Sequence, residues 1–152
     1  IMQRLQVAIL AITALGNLAF SSGTQAYNNS NLSININGIK NLRGQVCFSI
    51  FSSSKGFPTD KRNATKSGCV KAVNKTVKAK FDQLKPGSYA VAVIHDTNGD
   101  GTLNSNILGI PKEGIGFSRN PRIITGPPKF GDSAIIVVGP NTDIYIQLQY
   151  FL

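Results

Sequence analysis

Hydrophobic and polar residues alternate with a period of two along much of the chain, and this pattern constrains the fold more than any other feature. The segment 32–37 (LSININ) shows it most clearly, and segments 76–81 and 142–151 repeat it. Successive side chains of a β-strand point to opposite faces, so each segment predicts a strand with one buried face. No segment shows the 3.6-residue period of a long amphipathic helix. The sequence therefore predicts an all-β fold.

About seven strands are expected, and one of them is central. Residues 88–95 (SYAVAVIH) are apolar almost throughout, as expected for a strand buried on both faces. The loop at 52–67 is long and has room for a short helical turn. The predicted strands comprise residues 32–37, 45–51, 69–73, 76–81, 88–95, 133–138 and 142–151. Seven short strands without an internal repeat predict a β-sandwich.

A long Gly/Pro-rich loop follows the central strand, from Asp96 to about Gly131. It has no periodicity, and it contains six glycines between Gly99 and Gly126 and four prolines. A structureless loop of this length in a small domain is usually functional or held by a specific contact. We therefore place the candidate site in this loop.

The first 26 residues are typical of a secretory signal peptide. Arg4 precedes a mostly apolar run over residues 5–20, and the small residues Thr24 and Ala26 stand where a signal peptidase cleaves. An uncleaved membrane anchor is the alternative, although no basic stop-transfer cluster follows. We expect export to the periplasm, the cell surface or the medium, and no transmembrane span in the mature chain. The predicted organisation is a signal peptide at 1–26, a flexible lead-in at 27–31 and a single β-sandwich domain at 32–152.

The chain is strongly basic, with sixteen Lys and Arg residues against seven Asp and Glu and a net charge of +9. This balance favours an anionic polysaccharide or an anionic lipid surface as partner, and export argues against nucleic acid. A solvated basic surface without a partner explains the same composition. Lys78 and Lys80 fit both explanations, because outward lysines also discourage a strand edge from pairing with another chain. The oligomeric state is not predicted.

Cys47 and Cys69 are the only cysteines, and an even count in an exported chain favours a disulfide. Such a bridge would enclose the loop between two strands and stabilise the fold by on the order of 3 kcal/mol. A pair of buried free thiols is the alternative. Redox catalysis is not expected, because there is no Cys-x-x-Cys motif.

Three segments, in this order, resemble one family of exported bacterial proteins. They are Phe81-x-x-Leu84-x-Pro86-Gly87-x-Tyr89-Ala90-Val91, then His95-Asp96-x-Asn98-x-Asp100-Gly101-x-Leu103-Asn104, then Leu108-Gly109-Ile110-Pro111-x-Glu113-Gly114-x-Gly116-Phe117-Ser118 with Gly126-Pro127-Pro128-x-Phe130. Together they resemble the family catalogued as domain of unknown function 2141, over about residues 32–150. The resemblance implies an immunoglobulin-like or transthyretin-like β-sandwich. It implies no activity, because the family has no assigned function or functional residues.

The segment 95–106 (HDTNGDGTLNSN) is similar to part of a calcium-binding loop. Oxygen-bearing side chains stand at every second position, as in the Asp-x-Asn-x-Asp-Gly run of an EF-hand. Ile107 replaces the bidentate glutamate at the twelfth position, so Glu113 would have to complete the shell. The predicted calcium ligands are Asp96, Asn98, Asp100, Thr102 (through its carbonyl), Asn104 and Glu113. Turn chemistry is the alternative, because Asn and Asp cap their own backbone and Gly adopts a positive φ.

Catalysis has weaker support. His95 beside Asp96, with Ser118 downstream, suggests a small hydrolase, but the Gly-x-Ser-x-Gly motif is missing. Adjacent residues of a strand also point to opposite faces, so Asp96 is badly placed to orient His95. Glu113 with Asp96 or Asp100 would be a glycosidase pair of unknown separation. No catalytic residue is assigned, and we do not expect an enzyme.

A binding surface is the other alternative for the long loop. Phe117, Arg119 and Arg122 are candidate contacts for an anionic glycan or a lipid head group. Phe117 and Phe130 would be lost to such a surface if they faced the core. The leading expectation is an exported, non-catalytic β-sandwich module of unknown role, stabilised by a disulfide and by calcium at residues 96–104. An anion-binding module and a small hydrolase are the alternatives.

Overall fold

The computed structural model describes residue 23 and residues 26–152. Apart from positions 23 and 26, the predicted signal peptide lies outside the described residues. Within that part of the chain, no helix is long and apolar enough to cross a membrane. The described elements are β1 (Ser30–Asn37), β2 (Gln45–Phe51), a 3₁₀ helix (Lys61–Asn63), β3 (Lys66–Lys71), β4 (Val77–Leu84), β5 (Gly87–Asp96), β6 (Gly114–Phe117), α1 (Phe130–Ser133), β7 (Ala134–Val137) and β8 (Asn141–Gln147). The all-β prediction is confirmed.

The strands described form two sheets. The three-stranded sheet has the order β4-β1-β8, with β1 antiparallel to β4 and parallel to β8. The five-stranded sheet has the order β3-β2-β5-β6, and β7 also pairs with β5. β7 pairs with the first half of β5 and β6 with the second half, so the two short strands follow one another along the same edge. β5 is therefore the central strand, as predicted.

The main hydrophobic core lies between the two sheets. Leu32, Ile34 and Ile36 of β1 are fully buried there, and the inward side chains of β2 meet them. Burial of an aliphatic side chain of this size contributes about 1.5–3 kcal/mol, so the period-two pattern supplies most of the driving force for folding. The outward residues Lys78 and Lys80 of β4 are exposed, as the alternation predicts.

A smaller apolar cluster covers the outer face of the five-stranded sheet. It contains Phe51, Ala92, Ile115 and Phe117, and loop residues including Phe57 pack against it. Both faces of this sheet are therefore buried, which explains why the sequence of β5 is apolar almost throughout.

β6 lies inside the segment predicted to be one long loop, so that prediction was wrong there. Its four residues include two glycines and show no alternation. A Cβ atom at Gly114 would lie 2.5 Å from the ring of Tyr150, and one at Gly116 would lie 2.6 Å from Ile146. The glycines thus allow the C-terminal segment to pack directly on β6. β6 divides the predicted loop into two parts, here called the acidic loop (residues 96–113) and the arginine loop (residues 118–129).

Several strand boundaries also differ from the prediction. β1 begins at Ser30, inside the expected lead-in, and β3 begins at Lys66, three residues early. β8 ends at Gln147, four residues early, because the chain then crosses to the other sheet. Gln149 exchanges two backbone hydrogen bonds with Ile115 of β6, at 2.8 and 2.9 Å. The C-terminal segment therefore ties the two sheets together.

Cys47 and Cys69 form the predicted disulfide, which is confirmed. The two residues face each other in register on β2 and β3. The bridge encloses a sequence separation of 22 residues that includes the 3₁₀ helix. It therefore fixes the loop that leads from β2 to the edge strand β3.

Candidate functional site

Asp96, at the end of β5, organises the acidic loop. Its side chain is fully buried, and both carboxylate oxygens accept hydrogen bonds. Oδ1 accepts from the backbone N–H groups of Gly99 (2.8 Å) and Asp100 (3.1 Å). Oδ2 accepts from the N–H of Gly101 and from Nε2 of Gln45, both at 2.8 Å. Four donors on one buried carboxylate hold the start of the loop against the sheet.

Glu113 closes the acidic loop just before β6. Its side chain is buried, and Oε1 accepts from the N–H of Thr97 at 3.0 Å. Oε2 accepts from the N–H of Asn104, also at 3.0 Å. The N–H of Lys112 donates to the carbonyl of Asn104 at 2.9 Å. Glu113 thus reaches back across the loop, as the calcium interpretation requires, but it does so by accepting backbone hydrogen bonds.

Asp100 lies at the exposed tip of the acidic loop among short polar side chains. Its Oδ2 accepts from the amide groups of Asn104 and Asn98, each at 3.0 Å. Its Oδ1 accepts from the N–H (2.8 Å) and the hydroxyl (2.9 Å) of Thr102. These bonds, led by that from Asn104, lower the pKa of the Asp100 carboxyl to about 2. The group is therefore ionised over the whole physiological range.

The six predicted calcium ligands are divided into two groups. Asp96 and Glu113 are buried and accept from N–H donors. At the tip, Asn98, Asp100 and Thr102 are exposed and Asn104 is half-buried. No three His, Cys, Asp or Glu side chains in the described residues gather closely enough to hold a metal ion. A cation would have to replace N–H donors at Asp96 and Glu113. Calcium binding stays a prediction.

His95 and Ser118, the candidates for a hydrolase, are both fully buried and hydrogen bonded. Nε2 of His95 lies 2.9 Å from the carbonyl of Arg43, which can only accept, so Nε2 carries a hydrogen. In the tautomer with its hydrogen on Nε2, Nδ1 accepts from the hydroxyl of Tyr150 at 2.8 Å. The Ser118 hydroxyl accepts from the N–H of Val91 at 2.9 Å and donates to a carbonyl of α1. Val91 and His95 are four residues apart on β5, about 13 Å along a strand, so the two side chains occupy separate places.

A cavity of about 800 Å³, here called the outer cavity, lies on the outer face of the five-stranded sheet. The acidic loop, the arginine loop, the 3₁₀ helix region and the C-terminal Phe151 surround it. Most of its lining is aliphatic, with hydroxyl groups and Lys61 at a few points. The larger apolar residues that line it include Ile94, Leu103, Ile110, Ile115, Phe117 and Ile123. Its volume and mostly apolar lining are those of a small-molecule site.

Small side chains at the floor create this space. Ser49 of β2 faces Ala92 of β5 in register, and Cys47 faces Ile94. The aromatic rings of Phe51 and Phe117 fill the neighbouring volume instead, through edge contacts with Phe57. The apolar cluster on this face is therefore densely packed around the Phe57 ring, and the space above Ser49 and Ala92 is left open.

A second, more open recess of about 630 Å³, here called the cationic recess, lies between the arginine loop and α1. Arg119 and Arg122, both predicted as ligand contacts, line it together with Lys129. Arg119 has a left-handed backbone (φ 66°), and its guanidinium donates to the carbonyl of Gly131 at 3.4 Å. Phe117, the third predicted contact, is only 6 % exposed and lines the outer cavity instead.

A family model described as "Uncharacterized protein conserved in bacteria (DUF2141)" matches residues 34–145. The chain belongs to this family. The matched segment runs from β1 to β8. Both loops, the cationic recess and the lining of the outer cavity apart from Phe151 therefore lie within the DUF2141 domain. No curated protein and no solved structure matches the chain. The family resemblance predicted from the motifs is confirmed, and the function has to be argued from the geometry.

The outer cavity of the DUF2141 domain was missed in the sequence. A signal was available, because Cys47, Ser49, Ala90 and Ala92 place small residues on one face of the two central strands. Small residues on a face flanked by aromatic ones indicate either a covering loop or a cavity. Only the structure shows that the covering loops leave the space open.

Proposed function

We propose that this DUF2141 protein is an exported, non-catalytic β-sandwich module, of immunoglobulin-like or transthyretin-like type, that binds a small apolar molecule in the outer cavity. The single observation that carries the proposal is the open, aliphatic volume of about 800 Å³ above Ser49 and Ala92. The apolar run at residues 5–20 and the Cys47–Cys69 disulfide support export, because such bridges persist in oxidising compartments.

The rim of the outer cavity gives independent support. Leu108 in the acidic loop is 77 % exposed, and Ile124 in the arginine loop is 80 % exposed. Both residues line the cavity. Large aliphatic side chains grouped around an apolar opening are typical of ligand-binding surfaces. A bound apolar molecule would gain about 25 cal/mol for each Å² of apolar surface that it removes from water.

The test is a fluorescence titration of the purified protein with N-phenyl-1-naphthylamine, an uncharged apolar probe. The wild-type protein is expected to bind one molecule saturably. Ala92→Phe places a ring in the outer cavity and should weaken binding at least tenfold. Leu108→Glu, at the exposed rim, should weaken binding without disturbing the fold, and Lys78→Phe, on the other sheet, should change nothing.

Circular dichroism and thermal melting check that each variant is folded. Absence of saturable binding to the wild-type protein would overturn the proposal. So would equal affinity of the wild type, Leu108→Glu and a folded Ala92→Phe variant, since the probe would then be binding elsewhere.

A second candidate function is weak calcium binding at the tip of the acidic loop. It is favoured by the grouping of Asn98, Asp100 and Asn104 within hydrogen-bond distance, together with the lowered pKa of Asp100. One exposed carboxylate with two neighbouring amide side chains suits an affinity of about 10⁻⁴ to 10⁻³ M. Melting curves with 5 mM calcium or magnesium, for the wild type and Asp100→Asn, test it. A calcium-specific rise that Asp100→Asn abolishes is expected, and identical curves would contradict it.

A further inference from the structure

The cationic recess carries more positive charge than the chain neutralises. Arg119, Arg122 and Lys129 line it, and Asp132 is the one acidic residue in that lining. The carboxylate of Asp132 accepts from the N–H of Lys129 at 3.0 Å and so caps the start of α1. The two ion pairs among the described residues, Arg62–Asp60 and Lys80–Asp82, lie elsewhere in the chain. The recess is therefore suited to an anion.

The cationic recess and the outer cavity share a wall. Residues 124–127 of the arginine loop line both. These four residues are all exposed, and Gly126 has a φ of 132°, which residues other than glycine rarely adopt. Only residues 124–127 therefore separate a molecule in the outer cavity from the arginines of the cationic recess.

We infer that the ligand of the outer cavity is an anionic amphiphile, with its acyl chain in the outer cavity and its carboxylate or phosphate head in the cationic recess. This inference rests on the proposed function. An aliphatic volume next to an unneutralised pair of arginines matches a molecule with an apolar tail and an anionic end. Arginine binds both carboxylate and phosphate in a bidentate manner, so Arg119 and Arg122 recognise the head and the cavity recognises the chain.

The inference is tested by displacing N-phenyl-1-naphthylamine with four ligands of equal chain length: dodecanoate, dodecyl phosphate, dodecanol and dodecylamine. Each is used below its critical micelle concentration. We expect either or both anions to displace the probe at concentrations at least tenfold below dodecanol and dodecylamine. A stronger effect of dodecanoate would identify a fatty acid as the source of the head group, and a stronger effect of dodecyl phosphate a phospholipid type.

Arg119→Gln/Arg122→Gln removes two charges from the cationic recess without touching the outer cavity. This variant should keep its affinity for the uncharged probe and lose the preference for anions. Lys71→Gln/Lys78→Gln removes the same charge from exposed strand positions and should keep the preference, which excludes an effect of net charge alone.

Equal displacement by dodecanoate and dodecanol would overturn the inference while leaving the proposed function intact. The same conclusion follows if the arginine variant keeps its anion preference, or if the lysine control loses it equally. If the arginine variant loses only its retention on a polyanion column, the recess binds an anionic polysaccharide and the inference is wrong. Failure of the probe itself to bind would overturn the proposed function.

Discussion

The acidic loop and the outer cavity lie side by side, and they differ in how completely the protein fills them with its own contacts. In the acidic loop, the carboxylates of Asp96, Asp100 and Glu113 accept hydrogen bonds from the loop itself and from Gln45. In the outer cavity, aliphatic side chains surround about 800 Å³ that the chain does not fill. The polar side chains of the loop could bind a ligand, but they already accept hydrogen bonds within the protein. The cavity is lined by ordinary aliphatic side chains and contains unfilled volume. Function is therefore better sought where packing is incomplete than where polar residues are dense.

Removal of the Asp96 carboxylate is expected to have the largest effect. Asp96→Ala leaves three backbone N–H groups and the Gln45 amide without their acceptor in a buried place. Urea unfolding should show a loss of about 4 kcal/mol. Asp82→Ala, at an exposed position, is the matched control and should change stability little. A small loss of stability in Asp96→Ala would mean that the acidic loop does not depend on its own hydrogen bonds.

The disulfide offers the corresponding test beside the outer cavity, where Cys47 forms part of the floor. Cys47→Ala/Cys69→Ala frees a loop of 22 residues and should reduce the free energy of unfolding by about 3 kcal/mol. Addition of dithiothreitol to the wild type should reproduce the loss and leave the double variant unchanged. If the double variant is as stable as the wild type, the link between β2 and β3 does not need the bridge.

The contact between His95 and Tyr150 is expected to have a smaller effect. Burial raises the pKa of the Tyr150 hydroxyl, so the group stays protonated and donates to Nδ1 of His95. Tyr150→Phe removes this donor and the acceptor for the N–H of Lys40, at a cost of about 1–2 kcal/mol in urea unfolding. Loss of a catalytic activity with unchanged stability would instead support the hydrolase alternative.

The pH dependence due to Asp100 is expected to be the smallest effect, because the side chain is exposed. Its pKa is lowered from 3.8 to about 2 in the folded protein, so the folded state favours the ionised form. The resulting stabilisation is present above the unfolded pKa and is lost as the pH falls from about 4 to about 2. Melting temperatures measured over this range should fall more steeply for the wild type than for Asp100→Asn. Parallel curves would show that the tip contributes nothing.

The sequence predicted the strands in which apolar and polar residues alternate regularly. It missed β6, whose residues are determined by contacts with a segment distant in sequence. β1, β2, β4 and β5 follow from patterns of their own. β6 does not, because Gly114 and Gly116 are required by the close approach of Tyr150 and Ile146, which are distant in sequence. The disulfide was predicted from an even number of cysteines in a chain expected to be exported.

The candidate site was predicted only in part, for the same reason. The acidic loop was located from its residue types, but the six calcium ligands that were expected in one coordination shell lie in two separate groups. The outer cavity depends on Ser49 and Ala92 facing each other and on loops that do not close above them. Such a space is a property of packing between distant segments, and no local pattern encodes it.

In the proposed function, the outer cavity binds the ligand, whereas residues 97–100 at the polar tip of the acidic loop have only a structural role. The most direct measurement is a ¹H–¹⁵N correlation NMR titration of the protein with dodecanoate. Saturable shifts are expected at the amides of Ala92, Ile94 and Ile115 and at Arg119 and Arg122. The amides of residues 97–100, which do not line the outer cavity, should be unaffected. Shifts confined to residues 97–100, or shifts that grow without saturation across the surface, would show that the ligand does not occupy the outer cavity.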